Sequence, residues 1–147
     1  VLFSWFNDKH GSRFRYDKSL IKEYKKDHQK LVKILAKVRS ETKPESIKKN
    51  LDIFKVEILG HLLSEDVRLY KYLKDYYKND EDTLSLILEY EKSIKEIQKV
   101  VINFLDTYTS KSVKFDDIFK TELEGIISAL LARVETEEKT LYSLYKK

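Results

Sequence analysis

A chain of 147 residues with three Gly, one Pro and a surplus of Lys, Glu, Leu and Ile fits one domain built from long helices rather than strands and turns. It has no Cys, which excludes disulfides, thiolate metal sites and thiol nucleophiles, so any metal must be held by nitrogen and oxygen. The net charge of +4 arises from 29 basic and 25 acidic residues that are well interspersed, and few of the basic ones are Arg, so no nucleic-acid partner is expected.

Residues 1–16 read as an irregular arm. An aromatic patch (Phe3, Trp5, Phe6) precedes a basic, Gly-containing connector with Lys9, His10, Arg13 and Arg15. The aromatics fit a role in capping one end of a core. The alternatives are an anchor for a membrane surface or a protein partner, or a clamp for a small anion built from Arg13 and Arg15.

The first helix spans about 17–39 with Asp17 as N-cap. It places Leu20, Tyr24, His28, Leu31, Leu35 and Val38 on one face. Thr42-Lys43-Pro44-Glu45 combines capping-box spacing with a Pro suited only to a first helical turn, which starts a second helix running to about residue 77. At 1.5 Å per residue that helix is roughly 50 Å long. Its inward series is Ile47, Leu51, Phe54, Ile58, His61, Glu65, Leu69, Tyr72 and Tyr76, in steps of three and four.

Asn79-Asp80-Glu81-Asp82 is a polar break that supplies caps and first-turn acids. The third helix then runs to about residue 108 with Leu84, Ile87, Glu91, Ile94, Gln98, Val101, Leu105 and Tyr108 in phase. After a linker over 109–114, the fourth begins near 115–117 and continues to the C-terminus. It aligns Phe119, Leu123, Ile126, Leu130, Arg133, Glu137, Leu141 and Leu144. Four amphipathic helices with short loops bury their stripes only against one another, so the expected fold is an all-α, up-down-up-down antiparallel four-helix bundle over 17–147.

His28, His61, Glu65, Glu91, Arg133 and Glu137 therefore fall on apolar faces, where an unpaired charge costs several kcal/mol and demands a partner, a proton or a cation. The pattern also repeats. Residues 58–73 correspond to 130–145: Ile58 falls on Leu130, His61 on Arg133, Glu65 on Glu137, and Leu69-Tyr70 on Leu141-Tyr142. A looser match sets Asp27-His28 against Tyr90-Glu91. Two helical hairpins related by a pseudo-twofold follow from it.

Asp27-His28, His61-x-x-x-Glu65 and the run from Arg133 through Glu137 to Tyr142, in this order and phase, resemble the hemerythrin-like, or HHE cation-binding, family. That resemblance implies a four-helix bundle around a non-haem, usually di-iron centre on five His and two bridging carboxylates, in proteins that carry or sense oxygen, handle nitric oxide or take part in iron homeostasis. Carried onto this chain, it assigns His28, His61, Glu65 and Glu137 as metal ligands, the two Glu as bridges. The other half departs from the pattern. Glu91 and Lys95 stand where the family has its third-helix His pair, and Arg133 stands for the fourth-helix His.

Two imidazoles with two or three carboxylates suit iron or manganese, and also zinc. One ion is expected, with Glu91 as the further candidate ligand and Arg133 and Lys95 opposing a second. The expected protein is a non-enzymatic, cytoplasmic binding protein or sensor for oxygen, nitric oxide or iron, with no transmembrane segment and no signal peptide at Val1–Phe6. The alternative is a metal-free helical adaptor or signalling module for a protein, membrane surface or small anionic ligand, in which Arg133 replaces the cation by pairing with Glu65, Glu91 or Glu137.

Overall fold

The computed structural model describes residues 14–110 and 112–147. Phe3, Trp5, Phe6, Lys9, His10 and Arg13, and with them most of the expected arm, lie outside the described residues. Four long helices make up the rest, with no strand among the described residues. Helix α1 is Leu20–Ser40. Helix α2 is Pro44–Ser64, widens into a π-helical stretch at Glu65–Tyr70 and resumes as α-helix over Lys71–Tyr76. Helix α3 is Glu81–Tyr108, and α4 is Asp117–Thr136, followed by a second π-helical stretch at Glu137–Leu141 and a 3₁₀ turn at Tyr142–Leu144.

Helix starts follow local chemistry, with two departures from the sequence reading. Asp80 and Asp116 accept the N–H groups of Thr83 and Phe119, as N-caps do. Thr42 forms no capping box; Pro44 opens α2, and the Glu41 carboxylate accepts the Thr42 and Lys43 N–H groups instead. Asp17 folds its carboxylate onto the Ser19 N–H and hydroxyl, so the helix begins at Leu20 rather than directly after Asp17.

The helices pack in a ring, α1 on α2, α2 on α3, α3 on α4 and α4 on α1. Cross-links run in opposite sequence directions at each step: Tyr24 to Ser64 and Lys30 to Glu57, Lys74 to Glu91 and Lys55 to Asp106, Tyr90 to Thr140 and Phe104 to Phe119, His28 to Glu138 and Arg39 to Glu124. That is the up-down-up-down antiparallel bundle. No helix among the described residues is long and apolar enough to cross a membrane.

The apolar stripes gather into two cores. One contains Val38, Leu51, Phe54, Leu105 and Phe119 towards the α1–α2 loop; the other contains Leu20, Tyr24, Leu69, Ile87 and Leu141 towards the opposite end. Between them lies a layer of buried polar side chains: His28, His61, Glu65, Glu91, Arg133 and Glu137. Removing apolar surface from water on both sides holds that layer at a fixed height in the bundle.

The two π-helical stretches begin at equivalent places of the internal repeat. The Glu65 N–H is shared between the carbonyls of His61 and Leu62, and the Glu137 N–H between those of Arg133 and Val134. A wider turn slows the rotation of the helix face, so the inward positions slip by one residue beyond it. The regular period expects Tyr76 and Leu144 inside. Instead Tyr76 is 45% exposed and Leu144 half-buried, while Leu73, Tyr142 and Tyr145 are buried.

Candidate metal centre

Each helix brings its polar residue to the layer for a local reason. His28 sits one turn beyond Tyr24 in the stripe of α1. In α2, His61 is the last inward residue of regular helix and Glu65 the first of the π-helical stretch; Arg133 and Glu137 hold the same two places in α4. The π-helical turns therefore fall where the two carboxylates point inward, a position such turns often take at functional sites.

His28, His61, Glu65 and Glu137 converge. Each offers one donor atom, and those four atoms lie within 4.8 Å of one another. The two Nε2 atoms are 3.2 Å apart, His61 Nε2 is 3.3 Å from Glu65 Oε1, and His28 Nε2 is 3.8 Å from Glu137 Oε1. Behind the rings, His28 Nδ1 donates to Glu138 at 2.7 Å and His61 Nδ1 to Asp27 at 2.8 Å. A carboxylate accepts only, so each fixes its imidazole with Nδ1 protonated and the Nε2 lone pair facing inward, the state a metal ligand needs.

This geometry tests whether a cation fits. Two lone pairs facing each other at 3.2 Å repel unless something positive lies between them. Of the two rings, His61 is the one its surroundings make more basic. Burial pulls its pKa down, but Glu65 and then Asp27 outweigh that and raise it, whereas burial leaves His28 lowered despite Glu138. Glu65 Oε1 is also buried without a formed hydrogen bond. Two neutral imidazoles and an orphaned carboxylate oxygen aimed at one point are a fitting donor set for a divalent ion.

Burial opposes charge on both acids. At Glu65 contacts with Glu137, His61 and Tyr142 prevail and hold its pKa below the usual range; at Glu137 burial and the adjacent Glu65 raise it well above. Of the pair, Glu65 is therefore the one that carries negative charge more readily. Tyr142 completes this half: its hydroxyl donates to Glu65 Oε2 at 2.8 Å and lies 3.3 Å from Glu137 Oε2 and 3.2 Å from His28 Nε2. The sequence pattern assigns no role to the Tyr142 hydroxyl, or to Asp27 and Glu138 as partners of the imidazoles. Their signal was present in the repeat and in their places next to His28 and Glu137.

The other half of the layer is different. Glu91 is turned to Lys74, whose ammonium reaches both carboxylate oxygens at 2.9 and 3.2 Å, so it does not join the four-residue cluster. The expected role of Lys95 as the cation of this layer is not met. It is exposed, at the rim of a cleft that Glu91 and Tyr70 also line, because its position on α3 falls outside the inward stripe. Arg133 is buried but none of the ion pairs among the described residues includes it. It donates from Nη1 to Ser93 at 3.2 Å and lies against the Tyr90 ring, so the expected pairing with Glu65, Glu91 or Glu137 is not formed. Arg15 is exposed beside Tyr16, Asp17 and Arg68 at the bundle end, away from the layer.

A cavity of about 120 Å³ opens between α1 and α4 at Val32, Leu131 and Arg39 and reaches His28, His61, Glu65, Arg133 and Glu137 at its inner end. Its walls are aliphatic, chiefly Leu31, Leu35, Ile58 and Ile127.

The sequence model of one protein family, described as the hemerythrin HHE cation binding domain, matches residues 19–145. No curated protein and no solved structure matches the chain.

Proposed function

The chain belongs to the hemerythrin HHE cation-binding family, and from that premise we propose that it is a cytoplasmic, non-enzymatic binding protein or sensor for oxygen, nitric oxide or iron, with a single metal ion held by His28, His61, Glu65 and Glu137. The observation that carries this reading is the convergence of those four donor atoms within 4.8 Å, with both imidazoles fixed from behind by carboxylates. Iron is the preferred ion because the two carboxylates are hard donors; manganese and zinc suit the same set.

When bound, iron would supply a redox-active centre able to take a diatomic ligand. The side chains do the rest. Asp27 and Glu138 orient the imidazoles, and Tyr142 holds Glu65 in place. The cavity between α1 and α4 reaches the cluster between aliphatic walls. Among the described residues a second ion has no comparable donor set: Glu91 is engaged by Lys74, and a guanidinium stands where a His ligand would be.

Anaerobic reconstitution with Fe(II), followed by elemental analysis and absorption spectra in air, tests the proposal. The expected result is about one iron per chain and no oxo-bridge band. Two irons with that band would restore a di-iron carrier. No retained metal would remove the metal-binding reading altogether.

A further inference from the structure

The hydroxyl of Tyr142 lies among atoms that present lone pairs. It is 2.8 Å from Glu65 Oε2, 3.2 Å from His28 Nε2 and 3.3 Å from Glu137 Oε2. A phenol has one hydrogen to give, and here Glu65 takes it. Towards His28, whose proton is held on Nδ1 by Glu138, the phenol oxygen therefore turns a lone pair against a lone pair. That contact is unfavourable unless a positive charge enters it.

The spacing is that of a ligand shell. Donors bound at about 2.0–2.2 Å to one ion stand roughly 3 Å apart. The phenol oxygen meets that spacing with three of the four clustered residues, more closely than the 3.8 Å between His28 Nε2 and Glu137 Oε1. Local structure puts it there: the Tyr142 N–H donates to the Glu137 carbonyl, five residues back, at the end of the π-helical stretch, which sets the phenol beside the carboxylate. The side chain is 4% exposed, and its ring lies nearly parallel to the His28 imidazole and against Tyr24. Its counterpart Tyr70 meets no such group of donors, and its hydroxyl is buried without a partner.

We propose that Tyr142 is a fifth ligand of the metal centre, its phenol oxygen binding the iron in the ferric state. This rests on the single-ion reading above. The two carboxylates balance the charge of a ferrous ion, and the phenol keeps its hydrogen bond to Glu65. The third charge of a ferric ion, buried in the same place, calls for a third anionic donor. As the iron–oxygen bond forms, the phenol O–H breaks with its electron pair left on oxygen, and the proton leaves to solvent. Without a cation, burial and Glu65 keep the phenol protonated.

The test uses the full chain loaded anaerobically with Fe(II), freed of excess metal and oxidised with ferricyanide, which takes one electron from each iron. Iron content is measured alongside absorption and resonance Raman spectra. A phenolate-to-iron charge-transfer band in the visible, with enhanced tyrosine ring vibrations, is expected in the ferric form and not in the Fe(II) or Zn(II) forms. Tyr142→Phe should lose the band and still retain iron. Tyr24→Phe and Tyr70→Phe should keep it, since the Tyr24 hydroxyl is hydrogen-bonded to Ser64 and the Tyr70 hydroxyl is outside the donor group. Bound ferric iron without the band overturns the proposal, as does a band that survives in Tyr142→Phe or disappears in Tyr24→Phe or Tyr70→Phe. If Tyr142→Phe folds poorly, the wild-type spectrum and the other two variants still decide. Retained iron without the band removes this proposal alone, whereas no retained iron removes it together with the reading beneath it.

Discussion

Tyr70 and Tyr142 occupy equivalent places in the two halves of the repeat, both buried where a π-helical stretch ends, yet only the Tyr142 hydroxyl is satisfied. Both phenols are kept protonated, first by burial and then by the charge of Glu65. The asymmetry follows from what stands opposite: His28 and two carboxylates in one half, Arg133 and a Lys-bound Glu91 in the other. Tyr142→Phe removes a hydrogen bond to a charged acceptor and is expected to cost about 1.5–3 kcal/mol. Tyr70→Phe removes an unsatisfied hydroxyl and should be neutral or stabilising. Urea denaturation of the metal-free variants checks this, and equal losses in the two would show that Tyr70 has a partner.

The bundle and the four clustered side chains were legible because burial enforces a period near 3.6, and a His or Glu that keeps this phase must face the core. What escaped depends on the third dimension. A π-helical turn changes the period without changing composition, so the regular period points Tyr76 and Leu144 inward where Leu73 and Tyr145 hold those places. Partners between helices follow no spacing rule: Lys95 was expected to oppose a second ion in the layer, yet it is exposed, and the ammonium that reaches Glu91 comes from Lys74 on α2.

That distinction has a measurable consequence. Glu91 is nearly buried, with a side chain 12% exposed against 35% for Lys74. Lys74→Met leaves its carboxylate without a counter-ion and is expected to destabilise the protein by about 1–2 kcal/mol, below the cost of breaking a fully buried pair because water still reaches Lys74. Lys95→Met should stay within roughly 0.5 kcal/mol of wild type. Chemical denaturation at low salt reads both, and a larger loss for Lys95→Met would reinstate it as the partner of the layer.

At the bundle end, hydrogen bonds from the Ser19 hydroxyl and N–H, followed by the Arg68 guanidinium, hold the Asp17 carboxyl below its usual pKa. A depressed folded-state pKa means that the unfolded chain binds the proton more readily. The contribution of Asp17 is therefore complete above its unfolded value and is lost as the pH falls through the folded one. Asp17→Ala is expected to cost about 0.5–1 kcal/mol at neutral pH, a modest figure because the group is partly exposed. Its thermal midpoint should converge on that of wild type as the pH falls below the lowered folded-state pKa of Asp17. A gap that persists at low pH would assign the loss to packing, not to the carboxylate.

Asp27 and Glu138 separate metal orientation from folding. Both are partly solvated, with side chains 45% and 32% exposed, and each holds the Nδ1 of an imidazole whose Nε2 faces the cluster. Replacing either by Ala frees the ring to rotate or to move its proton to Nε2, where it blocks the lone pair required of a ligand. Chelator competition with Fe(II) or Zn(II) is expected to give a loss of metal affinity of roughly 10–100-fold for each variant. Metal-free stability should change by less than about 1 kcal/mol, because neither residue belongs to the core. Asp27→Asn and Glu138→Gln sharpen the result. Each amide oxygen still accepts from Nδ1 and keeps the tautomer, so part of the affinity should return, and no recovery would show that the negative charge rather than the orientation matters.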